Sequence, residues 1–481
     1  TSQLVALTTS QFAGIANAQV VALRSNQIPS LTGAQLTALT TSQAAALSTA
    51  NTFSLTSAQI ALLETADVAA LQADNIAALT SAQAVSLTPD QFSNLRLAQV
   101  TAVSTSNIAA LLSSQVQALT TAQAQVLTTR QIAALGTAQV VALGTADFAV
   151  LPTASIRALS ASQVAALSTD EIVALTSWQA FGLSTANISA LTTSQVAALQ
   201  TDDLVVLTNA NLLALSTAQV SNLTTGQVAA ITTAQADGLS TVNVSVLSTA
   251  QLVAMFLPVL NTANVRTLSS AQLVALTTDQ VITMTTAQAY GLSTANAAAL
   301  TTAQWVAVRT DDIAVLTTTN VQALSTGQVA ALLTEQVQVF AVRQVNALGS
   351  AQIAALTTDQ IVALTQAQFA GLTTANASAL TTDQIAAMET RDLVVITTAN
   401  LRALGTAQVA ALTSVQVPVV LIDQLVSLST AQTYALSTDQ IQALTVTQSY
   451  SLSTSQAAAL STGQVVALTT EQIGNLLSAQ V

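Results

Sequence analysis

Two pairs of adjacent acids, Asp202-Asp203 and Asp311-Asp312, each followed one repeat later by an asparagine, Asn211 or Asn320, are the side chains of this 481-residue chain best suited to ligate an ion. Carboxylate and amide oxygens are hard ligands, and calcium takes about six to eight of them. The two pairs supply fewer. Side chains at neighbouring positions also diverge on a helix, and acids are favoured at helix starts by the macrodipole alone. Asp202, Asp203, Asp311 and Asp312 therefore stand as candidate metal ligands against a simpler role as helix-start acids, and no metal or cofactor is expected. Asp170-Glu171 is similar but lacks the asparagine.

Histidine, lysine and cysteine are all absent. Acid-base catalysis by His, Schiff-base and thiol chemistry and ordinary zinc sites are thereby excluded. Serine without a base is better explained as a helix cap, so no enzyme activity is expected. Phe181, Tyr290, Tyr434 and Tyr450 lie among small residues and read as gap fillers, while Trp178 and Trp305 occupy different repeat positions and define no common site.

What positions these residues is an octad, approximately Leu-Ser/Thr-Thr-x-Gln-Val/Ile-x-Ala. An apolar residue returns every eighth position from Leu7 through Ile15 and Leu23 to Met255, then in a new phase from Leu268 to Leu476. In Leu215 to Leu223, Ser216 is a good N-cap. Gln219 completes a Ser/Thr-x-x-Gln capping box, and Leu215 with Val220 forms the hydrophobic staple. The same set recurs at Leu191, Thr192, Gln195 and Val196, and at Leu404, Gly405, Gln408 and Val409. Each helix then has about six or seven residues, too short to be stable alone, and must be stabilised by stacking. A β-solenoid is the alternative, but strict period-2 alternation is missing and a Gln fixed three residues after Ser/Thr has no role in a strand. The expected fold is an all-α solenoid of 8-residue helical repeats. Leu and Val/Ile should fill its centre, with Thr, Ser, Asn and Gln outside.

A longer period lies within the short one. Asn51 to Asn187, Asp67 to Asp203, Asn75 to Asn211 and Asn107 to Asn243 all span one and the same interval, seventeen octads, and other Asn and Asp intervals are ten and seven octads. A turn of about 27.2 residues, or about 3.4 octads, divides all three nearly evenly, although duplication of blocks gives the same numbers. Asn187 and Asn243, and across the phase shift Asn296 and Asn376, should then lie on one edge. The phase shift, where Leu268 follows Met255 by more than one octad, reads as five extra residues within Phe256 to Asn261. The expected organisation is octads over 1–255, a register-shifting insertion over 256–267, and octads over 268–481.

Only 6% of residues are charged and the net charge is −12. Nine scattered arginines leave no footprint for nucleic acid or anionic lipid. The apolar run ending at Leu260 contains Pro258 and is far shorter than the ~20 residues a membrane helix needs. Both ends fall inside a repeat, so the chain is expected to be a segment of a longer array.

The octads Leu-Thr-Thr-Ala-Gln-Val-x-Ala-Leu resemble the repeat tracts of very large secreted bacterial proteins, grouped with adhesins and RTX-like products. The calcium-binding Gly-Gly-x-Gly-x-Asp nonapeptide of that group is absent. TAL-effector repeats also open Leu-Thr-x-x-Gln-Val, but their longer period and base-reading loop are missing here. The first resemblance implies a structural extracellular or cell-surface rod, an adhesin stalk, surface-layer or filament element that associates with copies of itself. The alternative is a binding surface presenting ladders of Thr and Asn to glycan, ice or self.

Overall fold

The computed structural model describes residues 2–480, and among them the regular structure is entirely helical. The repeat explains where each helix begins and ends. Thr192 is extended (φ −71°, ψ 162°), and its hydroxyl accepts from the Gln195 N–H, opening the helix Thr193–Ala198. That helix closes at Leu199, extended again at φ −56°, ψ 133°, whose N–H reaches back to Gln195 O and Val196 O. Two successive extended residues, Leu and then the cap, turn the chain before the next helix starts. Gly136, Gly349 and Gly405 cap helices with ordinary negative φ. Gly144, at φ 72°, occupies the left-handed region that an L side chain resists.

The chain divides into two compact units, Thr1–Leu247 and Ser248–Val481. Within the first, the helix Thr193–Ala198 packs on Thr169–Val173 and Thr217–Ser221, the helices three places before and after it. Within the second, Ser350–Ala355 packs in the same way on Thr326–Ala331 and Thr374–Ala379. Each unit is thus a helical solenoid. Side-chain hydrogen bonds between successive turns join residues 25 to 31 apart, from Asn17 to Ser42 at the short end and from Gln195 to Val164 at the long end. These separations bracket the turn expected from the Asn and Asp spacings.

The core corrects one expectation. Leu and Val/Ile are buried as foreseen, Leu199 and Val196 among them, but Gln195 and Asn187 are buried too, at 2% and 1% exposure. Nearly the whole Gln/Asn position faces inward, Gln11 and Gln19 being exposed, for a reason developed below. Phe181, Tyr290, Tyr434 and Tyr450 depart in the opposite direction: they are about half exposed or more and fill no gap. They share one outward octad position, five residues after the cap.

The break in phase is also different in kind from an insertion of extra residues. Phe256 to Leu260 form a repeat cut to five residues, with a 3-10 turn at Leu257–Val259, buried Leu257, Val259 and Leu260, and Asn261 capping the next helix, Thr262–Arg266. Gln280 measures the cut. Its amide reaches Leu252 O, Val253 O and Met255 O, at separations of 28, 27 and 25, each three residues less than the 31, 30 and 28 usual elsewhere. Gln288 returns to 31 and 28, on Leu257 O and Leu260 O. The short repeat lies inside the second unit.

Glycine follows Phe181, Tyr290 and Ala370, and packing explains it. A Cβ on Gly182, Gly291 or Gly371 would collide with Thr153 Cγ2, Thr262 Cγ2 or Val342 Cγ1, in each case a β-branched side chain on the preceding turn. Gly291→Ala should therefore destabilise the second unit by about 1–3 kcal/mol through overpacking. Adding Thr262→Ala should recover most of the loss. Urea unfolding of the single and double variants measures both, and a double variant no better than Gly291→Ala would show that the contact is not the cause.

Candidate functional site

The recurrent chemistry of the fold lies in one buried side-chain amide per repeat. At Gln360, Oε1 accepts from the Thr357 N–H at 2.8 Å, while the Thr357 hydroxyl accepts from the Gln360 N–H at 3.2 Å. That is the capping box. The other half of the amide does more: Nε2 donates to Val329 O at 3.0 Å and Leu332 O at 2.6 Å, carbonyls at the end of the helix one turn earlier. A helix end leaves its last carbonyls unpaired and a helix start its first N–H groups. One glutamine therefore joins the orphan donors of one helix to the closing carbonyls of another, Val329 O, which also accepts the Leu332 N–H, and Leu332 O, and this reach is why it is buried. Asparagine, one methylene shorter, keeps only the nearer link: Asn187 donates to Leu159 O and Asn296 to Leu268 O, each 28 residues back.

At some repeats an acid takes the amide's place. Asp67, Glu171, Asp203, Asp312 and Asp392 stand three residues after their caps and Asp147 four after Leu143, and all are buried. An ionised carboxylate only accepts, so it has nothing to offer the carbonyls of the preceding turn. The substitutes differ. At Asp312 the cap residue Arg309 bonds the carboxylate through Nε at 2.9 Å, and its Nη2 donates at 2.7 Å to Met284 O, the preceding-turn carbonyl that an amide at this position would have reached. Ser177 donates its hydroxyl to Asp203 at 3.2 Å. Ser168 donates both its N–H and its hydroxyl to Glu171, whose other oxygen is left without a partner. Asp67 has one unpartnered oxygen and Asp392 two.

Burial pushes the carboxyls of Asp147, Glu171 and Asp203 above the usual range, with the hydroxyls of Thr121, Ser168 and Ser177 pulling the other way. For Asp67 and Asp392 the rise reaches about 6, burial being the main cause. Glu64 adds to it at Asp67. At Asp392, Arg391 opposes the shift and Glu389 reinforces it.

The candidate metal ligands are separated by this geometry. Asp203 and Asp312 sit in the inward amide position, whereas Asp202 and Asp311, one residue earlier, are exposed. The acids of each pair do not converge, the partner asparagines Asn211 and Asn320 are committed to Leu183 O and Leu292 O, and among the described residues no three acidic side chains gather as an ion would require. The tryptophans also part. Trp305 is fully buried and donates Nε1–H to Ala297 O at 3.2 Å. Trp178 is 78% exposed and, with Phe181, Ser177 and Val206, lines a shallow apolar hollow. Among the described residues no helix is long and apolar enough to cross a membrane.

A ladder of short capped helices tied turn to turn by buried amides defines an all-α repeat protein. A family model described as the ALTTAQ repeat matches residues 60–97, 108–145, 140–177, 196–233, 257–286, 306–342, 338–366 and 385–419, more than half of the chain. The chain belongs to the ALTTAQ repeat family. No curated protein and no solved structure matches it.

Proposed function

We propose that this chain is a structural element of an extracellular rod or filament, such as an adhesin stalk, a surface-layer component or a matrix fibre, associating with copies of itself. The observation that carries the reading is the amide ladder, repeated through both units, which devotes the most chemically capable side chains of nearly every repeat to holding one turn on the next. A polar, weakly charged surface of Ser and Thr and the likeness of the octads to secreted bacterial repeat tracts support the extracellular placement. Electron microscopy of purified protein should show unbranched rods or filaments, and surface labelling of intact source cells should reach the protein. Globular particles, or protein confined to the cell interior, would refute the proposal.

A second reading, a repetitive binding surface, is favoured by the exposed Trp178 and Phe181 beside Val206. In that case the contact groups are aromatic rings and the exposed hydroxyls at helix starts, such as Thr217 and Thr249. Asn187, Asn296 and their equivalents are buried, so an asparagine ladder is not part of such a surface. Binding to a glycan panel that is lost on Trp178→Ala tests it.

A further inference from the structure

We propose that Asp67 and Asp392 are proton-operated links in the amide ladder, open when ionised and closed when protonated. The geometry comes from their position. Each replaces an amide whose nitrogen would donate to the carbonyl 28 residues earlier, as Asn75 does to Leu47 O and Asn400 to Leu372 O. For the two acids those carbonyls are Leu39 O and Leu364 O. Among the described residues no side chain donates to either carbonyl, and neither acid has the substitute found elsewhere: no arginine bridges as Arg309 does at Asp312, and no hydroxyl binds as Ser177 does at Asp203. A proton taken from solvent turns one carboxylate oxygen into an O–H donor of nearly the shape of the asparagine amide, and the carboxylic acid can then supply the missing link.

The surroundings allow no other charge to take over. Asp67 lies on the helix Thr65–Ala70, packed against Thr41–Ala46, which carries no charge, and Pro89–Ser93, whose Asp90 is exposed. Glu64 precedes it, and Arg96 is spent on Ala70 O and Leu71 O. Asp392 lies on Thr390–Leu393, packed against Gln366–Ala370, which has no titratable group. Gln424, on the helix Ile422–Val426 with Asp423, donates to Leu393 O. Gln366, at the place from which a hydroxyl would bind, donates instead to Arg391 O. Arg391 pairs with Glu389, and its Nε stays 3.8 Å from Asp392.

The sign of the effect follows. Both carboxyls titrate higher in the folded chain than in the unfolded one, at about 6 against an ordinary 3.8, so the native state holds the proton more tightly. Stability around these links is greatest below the unfolded value and is lost as pH rises through the folded one, the reverse of ordinary acid denaturation.

The test compares the intact chain with the double variant Asp67→Asn, Asp392→Asn, using hydrogen-exchange protection factors corrected for intrinsic rates at pH 7.5 and pH 4. In the native chain, local opening around residues 39–44, 65–71, 364–370 and 390–396 should fall by up to about 100-fold on acidification, the size set by carboxyls that titrate at about 6 when folded against 3.8 when unfolded. The double variant should be as protected at pH 7.5 as the native chain is at pH 4, with no pH response at these segments. Asparagine is native to the same position in both units, so the variant is expected to fold. Protection in the native chain that is constant or falls on acidification would overturn the proposal, as would a double variant that retains the pH response or is less protected at neutral pH.

Discussion

Replacing Gln344 with alanine is expected to destabilise the second unit by about 3–5 kcal/mol, a large effect for one polar side chain. Gln344 is fully buried, and its helix starts at Ala341, which has no hydroxyl with which to cap. The glutamine alone binds the Ala341 N–H, at 2.7 Å, and it donates to Ile313 O at 3.1 Å and Leu316 O at 2.8 Å. Alanine would leave the Ala341 N–H and the Leu316 carbonyl without these partners inside the protein, each costing about 1–3 kcal/mol and not fully additive, while Ile313 O would keep only the Leu316 N–H. Because a solenoid is stabilised by neighbour contacts, the loss should be confined to nearby turns. Hydrogen exchange should show residues 309–317 and 341–348 opening while residues 2–247 keep their protection. A uniform loss over both units would contradict this.

The second large effect is expected at Trp305. Trp305→Ala should cost about 3–5 kcal/mol, the range for deleting a buried aromatic. The site is demanding because the corresponding positions of the two preceding repeats are Ala297 and Ala289, both buried. The indole reaches the nearer of these repeats through its N–H, which binds the Ala297 carbonyl. Trp305→Phe should cost less, since it keeps most of the volume and loses the hydrogen bond. Fluorescence gives an independent check: with Trp178→Phe, the remaining emission from Trp305 should be blue-shifted and resist acrylamide quenching. Red-shifted, readily quenched emission would mean that the ring is not buried.

Much of this was legible in the chain. The cap at Thr192, the box with Gln195 and the staple at Leu191 and Val196 are local, set by residues within five positions of one another, so helix starts and the Leu ladder could be read directly. The burial of glutamine could not be read that way, because its reason lies a turn away, at Val164 O and Leu167 O. A signal was nevertheless present. Glutamate closes a capping box as well as glutamine, yet glutamine dominates the position, and only the amide carries N–H groups to donate. The tryptophans follow the same logic: Trp305 stands four residues after its cap, in the inward register of Val196, while Trp178 stands two after its own, where side chains face out. The five-residue repeat was harder, since counting residues presents Phe256 to Leu260 as additional, and only the reach of Gln280 reveals it as a turn three residues short.

The direction of the ladder has a consequence for how such a chain comes to be folded. Every inter-turn bond from a capping-box glutamine runs from a later residue to an earlier one, and the acceptors lie at most 31 residues behind the donor, as with Gln360 and Val329. On a ribosome, the glutamine of each new repeat would therefore emerge to find its acceptors already laid down, while the repeat's own closing carbonyls would wait only for the following turn. Proteins rich in short-range contacts fold fast, and chains are built from the N-terminus. Assembly can thus keep pace with translation one repeat at a time, so that lengthening the array adds steps without raising the barrier to any of them.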